Sequence, residues 1–247
     1  MAVGTLTVLR LPPPRRVDPR VAGRAMLLAP LAVLPLGAAV TCLLLVTAET
    51  SVPPSARGLL AVALLALGTR ALHWDGLSDV ADGLTAAYDR ERSLAVMRTG
   101  TSGPAGTLAV VLVAGLQAAG FAALSGSSTG CVLAGACVLG SRVSLATCCA
   151  RPVPAARPDG LGATVAGTVP VLAAVLAWLA LAGALAGLLA VLPVQRAPWH
   201  ALVPVVLAAV LTLLLVRRCT SRLGGVTGDV LGAGVEASLA VLLLALA

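Results

Sequence analysis

The chain alternates between long apolar runs and short polar connections. A helix needs about 20 apolar residues to cross a bilayer. Runs that approach or reach this length lie roughly at 25–48, 57–73, 105–124, 130–150, 163–191, 199–216 and 230–247. The pattern therefore predicts an all-α, polytopic integral membrane protein with about seven transmembrane helices, which form a single membrane-embedded domain over residues 1–247.

Two of these runs depart from a simple span. The second is short and continues directly into a polar segment at 71–92. The fifth, 163–191, is longer than a bilayer requires, so we expect it to be tilted or broken near Pro170. The last run carries Glu236 among apolar residues, and an acidic residue at membrane depth indicates a functional site.

Composition and charge agree with a membrane location. Hydrophobic residues make up 59% of the chain and charged residues 11%, whereas a soluble domain has about 25% charged residues. With a cytoplasmic N-terminus, all seventeen basic residues except Arg57 and Arg196 fall in cytoplasmic segments. This distribution predicts a cytoplasmic N-terminus, and it accounts for the net charge of +7 without a nucleic-acid partner.

Half of the ten acidic residues lie within 71–92. Asp75, Asp79 and Asp82 are spaced i, i+4, i+7, which places them on one face of a helix, and Asp89 at i+14 would return to that face. Like charges on one stripe repel each other, so a cation is expected among them. Mg²⁺ and Mn²⁺ prefer carboxylate oxygens. The alternative is a solvated helix whose aspartates pair with nearby arginines.

Three further residues of this segment have open roles. Gly76 and Gly83 would lower the stability of a helix, but they would let a phosphate or another backbone approach closely. His73 would face away from the aspartates if the helix is continuous. It could be a base, a metal ligand from a loop conformation, or a packed residue at the helix start.

A glycine-rich turn at 224–229 precedes the last apolar run. Such a turn at the start of a helix presents free N–H groups and is a candidate anion site, although an ordinary loop would look similar. Asp229 and Glu236 lie seven residues apart, on one helical face. Arg142, inside the fourth run, requires a carboxylate or phosphate partner unless it reaches the interface. Carboxylates, arginines and this turn on one membrane face predict a phosphate-bearing substrate.

The motif His73-x-Asp-Gly-Leu-x-Asp-x-x-Asp-Gly83, followed by Asp89-Arg-Glu-Arg92, resembles that of the cobalamin synthase family. The block Gly224-Gly-Val-Thr-Gly-Asp229 resembles the second signature of the same family, and the resemblance covers essentially the whole chain. It implies a multi-pass enzyme of the bacterial cytoplasmic (inner) membrane. Such an enzyme joins adenosylcobinamide-GDP to α-ribazole or its 5′-phosphate in the last steps of vitamin B12 assembly. GMP is released with Mg²⁺, and the active site faces the cytoplasm.

The resemblance also implies roles for individual residues, and homo-oligomerisation is left open. The predicted metal ligands are Asp75, Asp79, Asp82 and Asp89. The predicted catalytic residues are Asp82, Asp229 and His73. The predicted phosphate contacts are Arg142, Arg222, Gly224, Gly225, Thr227 and Gly228. Where the family usually carries further charge after Met97, residues 99–102 contain no acid, so no catalytic role is assigned to them.

Three other classes of membrane protein share some of these features. A CDP-alcohol phosphotransferase would need Asp-Gly-x-x-Ala-Arg, but Asp75-Gly76 is followed by Leu77-Ser78-Asp79 and the Ala-Arg is missing. A membrane prenyltransferase would need a second Asp-rich motif, and 217–236 offers only Asp229 and Glu236. A cation-coupled transporter is disfavoured because seven spans contain no even-numbered inverted repeat.

Overall fold

The computed structural model describes residues 2–8, 18–86, 89–192 and 197–247. Its helices are α1 Ala2–Leu6, α2 Pro19–Leu27, α3 Ala29–Ala32, α4 Leu34–Ala48, α5 Pro54–Gly68, α6 Leu72–Ala86, α7 Arg90–Val96, α8 Pro104–Leu124, α9 Ser128–Ser141, α10 Ser144–Cys148, α11 Gly160–Val165, α12 Val171–Val191, α13 Leu202–Leu223 and α14 Gly228–Leu246. Within these residues β-structure is limited to two isolated bridges. The all-α prediction is confirmed.

Five helical segments are long and apolar enough to cross a membrane: Pro104–Leu124, Ser128–Cys148, Val171–Val191, Pro198–Leu223 and Gly228–Leu246. Helices α5 and α6 qualify only as a pair, with a bend of 95° between them. The polytopic architecture is therefore confirmed. By length and composition, however, the described residues provide five or six spans, and the predicted count of seven is not reached.

Prolines explain why the first predicted span is not one helix. The run 25–48 is divided among α2, α3 and α4, and Pro30 and Pro35 stand in the first turns of α3 and α4. Proline lacks the N–H that would continue the preceding helix, and its ring clashes with the preceding turn. The break expected near Pro170 is confirmed, because α11 ends at Val165 and α12 begins at Val171.

The bend between α5 and α6 is made by two non-glycine residues. Arg70 and Ala71 adopt left-handed backbone angles, with φ of 57° and 54°. The Ala71 N–H donates to the Ala66 carbonyl at 2.7 Å and closes the end of α5. The chain therefore leaves α5 at a sharp angle, and α6 packs against α8 and α14.

Helix α14 occupies the centre of the bundle, with most of its residues buried. Its contact with α6 is unusually close at two glycines. A Cβ on Gly76 would lie 2.8 Å from the Asp229 Cα, and a Cβ on Gly232 would lie 3.0 Å from the His73 Cα. Small residues let helices approach in this way inside membranes. The close contact brings the aspartates of α6 next to the start of α14.

Candidate active site

A cavity of about 320 Å³ opens at the end of the bundle where α6 meets the start of α14. Its lining combines polar and apolar side chains from distant parts of the chain: Leu6, Met26, Leu72, His73, Arg98, Leu145, Arg157, Asp159, Gly160, Leu161, Gly162, Val226, Thr227, Gly228, Asp229, Leu231 and Gly232. The cavity is therefore amphipathic, and an amphipathic ligand suits it.

The aspartates predicted on α6 are absent from the lining of this cavity, but Asp79 lies close enough to Asp229, which does line it, for their charges to interact. Helix α6 is continuous from Leu72 to Ala86, so Asp75 and Asp79 share a face as expected. Asp75 is exposed and Asp79 partly buried. The charges of Asp75 and Asp229 act on Asp79, and the Arg157 guanidinium offsets part of this repulsion. The fold thus gathers three carboxylates from segments that lie about 150 residues apart in sequence.

Asp82 lies on the same helix but has structural partners. Its two carboxylate oxygens accept hydrogen bonds from Gly103 N at 2.7 Å and Gly106 N at 2.8 Å. It is buried and caps the N-terminus of α8, where a negative charge is favourable. One turn earlier, Ser78 Oγ donates to Ser102 Oγ at 3.0 Å. The acid-free stretch 99–102 therefore supplies a hydroxyl contact to this helix.

Asp89 does not share the aspartate face. Helix α6 ends at Ala86, and residues 87–88 lie outside the described part of the chain. Asp89 is the N-cap of α7, where its carboxylate accepts from Glu91 N at 3.4 Å and Arg92 N at 3.0 Å. The prediction that it returns to the face of Asp75 is therefore wrong, because the helix does not extend that far.

The glycine-rich turn divides into two parts with different surroundings. Gly224, with φ of 79°, ends α13, and a Cβ there would lie 2.8 Å from the Arg90 guanidinium. Arg90 donates to the carbonyls of Leu223 at 2.8 Å and Ala156 at 3.0 Å. Gly225 faces the backbone of Pro154. Neither glycine lines the cavity, and both serve the packing of the turn.

The second part of the turn does reach the cavity. Thr227 is the N-cap of α14, and its hydroxyl accepts from Val230 N and donates to Asp229 Oδ2 at 3.0 Å. Thr227, Gly228 and Asp229 all line the cavity. The start of α14 therefore places its N-terminus and one carboxylate at the cavity, and its role as an anion site stays a prediction.

The arginines are arranged differently from the prediction. Arg142 is 1% exposed, and its Nη1 donates to Val138 O at 3.0 Å and to Ser141 Oγ at 2.8 Å. Arg142 is absent from the cavity lining, as is Arg222, in the last turn of α13. The structure does not bring either residue to this cavity, and their phosphate-binding roles stay predictions.

Two other arginines do line the cavity. Arg157 donates to Leu94 O at 3.0 Å, and its charge acts on Asp79 and Asp229. Arg98 pairs with Asp159 at 3.1 Å in an exposed ion pair. Arg157 was not among the predicted phosphate contacts, although its position two residues before Asp159, in a polar connection, was a usable signal.

The donor chemistry of the carboxylates fits Mg²⁺, but they form no complete ligand set. Across the described ranges, no three His, Cys, Asp or Glu side chains lie close enough to hold a metal together. Mg²⁺ typically keeps several waters and binds through one or two carboxylates plus substrate phosphates. One or two of the carboxylates Asp75, Asp79 and Asp229 would therefore suffice for Mg²⁺ if the phosphates of a substrate supplied further oxygens.

The fold and the site together define a polytopic helical membrane protein with a carboxylate-rich, amphipathic cavity at one end of its bundle. The model of the family described as Cobalamin-5-phosphate synthase matches residues 1–247. The chain belongs to this family.

Curated relatives extend this similarity over nearly the whole chain. The chain is 54% identical to the adenosylcobinamide-GDP ribazoletransferase of Nocardioides sp. over 244 residues, which cover 99% of this chain and 95% of the relative. It is 40% identical to the protein of the same name from Frankia casuarinae, and the match covers 98% of this chain and 91% of the relative. The protein of the same name from Bradyrhizobium diazoefficiens is 35% identical, and the match covers 90% of this chain and 82% of the relative. No solved structure matches the chain.

Proposed function

We propose that this chain is an adenosylcobinamide-GDP ribazoletransferase. It joins adenosylcobinamide-GDP to α-ribazole or α-ribazole 5′-phosphate and releases GMP. The observation that carries the proposal is the full-length family match, together with the approach of Asp75 and Asp79 to Asp229, which lines the cavity. The names of the relatives supply the two substrates.

The reaction is a phosphoryl-centred substitution. A hydroxyl oxygen of the ribazole forms a bond to the cobinamide-side phosphorus of the diphosphate, and the bond from that phosphorus to the bridging oxygen breaks. GMP leaves with the bonding electron pair, and the hydroxyl proton passes to a base. Such reactions depend mainly on positioning and on stabilisation of the phosphate charges.

The residues at the cavity divide these tasks. Asp79, with Asp75 or Asp229, would hold Mg²⁺ together with substrate phosphates, and the bound ion would neutralise the diphosphate and stabilise the leaving phosphate. Arg157 and the N-terminus of α14 would contact phosphate oxygens. His73 and Asp229 both line the cavity and are the candidates for the base. Asp82 would act on Asp79 only through its charge, because its two carboxylate oxygens already cap α8.

The bilayer surrounds the outer helices, and the cavity faces the cytoplasm of a bacterial cell. Exposed side chains along α12 such as Leu172, Leu176 and Leu179 suit contact with lipid. The distribution of arginines supports a cytoplasmic N-terminus, and a cytoplasmic cavity would meet the nucleotide-bearing substrate directly.

The test is release of GMP by membranes that contain the chain. Adenosylcobinamide-GDP is supplied with and without α-ribazole and Mg²⁺, and GMP is measured by chromatography. We expect release to require both additions and to fall at least 100-fold in Asp79→Asn. Wild-type release by Asp79→Asn would contradict the role of the carboxylates. Substrate-linked proton flux without GMP would favour a transporter.

A further inference from the structure

A buried group of polar side chains lies beneath the cavity, between α6, α8 and α14. Glu236 is 4% exposed, and its Oε1 lies 3.3 Å from His73 Nδ1. Gln117 Nε2 donates to Glu236 Oε2 at 2.7 Å and to the Glu236 carbonyl at 3.0 Å. The charge of Arg142 also acts on Glu236. A carboxylate buried among helices is expensive, so such an arrangement requires a reason.

The imidazole of His73 joins this group to the cavity. His73 lines the cavity although only 4% of the residue is exposed. Nδ1 is buried, and no atom of the described residues meets it with good hydrogen-bond geometry. Glu236 Oε1, 3.3 Å away, is the acceptor that a small rotation of the ring would bring into a hydrogen bond. With Nδ1 turned towards Glu236, the ring nitrogen left for the cavity is Nε2.

The surroundings hold both side chains in place. Gly232 approaches the backbone of His73 so closely that an added Cβ would lie 3.0 Å from its Cα. Gln117 contacts both the carboxylate and the carbonyl of Glu236, and this fixes the carboxylate relative to α8. The neutral form of a histidine is set by the hydrogen bond that one ring nitrogen makes. A carboxylate only accepts, so it selects the form with the proton on Nδ1.

We propose that Glu236 is a positioning residue for His73. Its carboxylate, held by Gln117, accepts the Nδ1–H of His73 and turns an unprotonated Nε2 towards the cavity. There Nε2 accepts a hydrogen bond from a hydroxyl of the nucleoside substrate and so orients the attacking oxygen. The role of the substrate hydroxyl rests on the proposed function, whereas the contact between Glu236 and His73 does not.

The form of the imidazole can be measured directly, because the chain contains only two histidines. The full chain is labelled with ¹⁵N-histidine, purified in lipid nanodiscs and measured by long-range ¹H–¹⁵N correlation at alkaline pH, where imidazole is neutral. His200, which stacks on Trp199 at 3.8 Å and is exposed, serves as the internal reference. His73→Gln assigns the signals.

We expect His73 to carry its proton on Nδ1 in the wild type and to lose this preference in Glu236→Gln. Glu49→Gln, at the exposed end of α4, is the matched control and should change nothing. A wild-type signal with the proton on Nε2 would overturn the proposal, and this result needs no variant that might fold poorly. This measurement of the histidine form is independent of whether the chain releases GMP.

Steady-state kinetics provide the functional half of the test. Glu236→Gln should lower kcat by roughly 10- to 100-fold, the usual effect of losing the partner that orients a functional imidazole. KM for adenosylcobinamide-GDP should stay unchanged. The double variant Glu236→Gln/His73→Gln should have the same kcat as the single variant His73→Gln. Equal and additive losses in the two single variants would show that Glu236 acts only on packing, and would refute the positioning role. Gln117→Leu should lower kcat in the same direction but less.

Discussion

Replacing Gly76 by alanine tests how the site is assembled. An added Cβ would lie 2.7 Å from the carbonyl oxygen and 2.8 Å from the Cα of Asp229. Ordinary van der Waals contacts begin near 3.4 Å, so the two helices would have to separate by roughly 0.6 Å. Both neighbours are backbone atoms and no side chain can rotate away. The strain should cost about 1–3 kcal/mol of stability.

The same displacement moves Asp229 away from Asp75 and Asp79. A misplacement of about 1 Å can cost on the order of 100-fold in rate, so Gly76→Ala should lower GMP release by roughly 10- to 100-fold. The matched control is Gly115→Ala on α8, where no heavy atom lies within 4 Å of the added Cβ. That control should keep its activity and gain a few tenths to about 1 kcal/mol from helix propensity.

The assay combines GMP release in nanodiscs with thermal unfolding of the same preparations. We expect Gly76→Ala to lose activity and to unfold at a lower temperature, while Gly115→Ala does neither. Wild-type activity in Gly76→Ala, at wild-type stability, would refute the claim that close contact between α6 and α14 builds the site.

Three further outcomes are expected from changes at the cavity. Asp82→Asn should lower the stability by about 0.5–2 kcal/mol, because it weakens the cap of α8. Asp79→Asn should abolish GMP release without lowering the stability, because it relieves repulsion from Asp75 and Asp229. Thermal unfolding and the GMP assay separate the two. Arg157→Gln should raise KM for adenosylcobinamide-GDP several-fold, with the exposed Arg151→Gln as the unaffected control, and an unchanged KM would argue against a phosphate contact. Removing Mg²⁺ with EDTA should stop release, and added Mg²⁺ should restore it; full activity in EDTA would exclude the proposed metal.

The sequence was sufficient to predict the features that depend on local pattern. Apolar runs gave the membrane class, and the i, i+4, i+7 spacing of Asp75, Asp79 and Asp82 gave a continuous helix. The division of the first run was also accessible, because Pro30 and Pro35 each mark a helix start. The approach of Asp229 to α6 could be anticipated only from the glycines on both sides of the contact.

Other features depend on tertiary contacts that no local pattern carries. The bend before α6 uses Arg70 and Ala71 in a left-handed conformation that neither residue type signals. Asp82 resembles its neighbours in sequence, yet its partners are two backbone N–H groups more than twenty residues away. Arg142 turns into the bundle, where it donates to Val138 O and Ser141 Oγ and where the charge of Glu236, on another helix, acts on it.

The central claim is tested most directly by identifying both products of the purified chain. Adenosylcobinamide-GDP and α-ribazole are incubated with the chain in nanodiscs, and the corrinoid product and GMP are quantified by mass spectrometry. We expect equal amounts of GMP and of adenosylcobalamin from the wild type, and neither product from Asp79→Asn. GMP formed without α-ribazole, or a corrinoid product formed without GMP, would contradict the central claim.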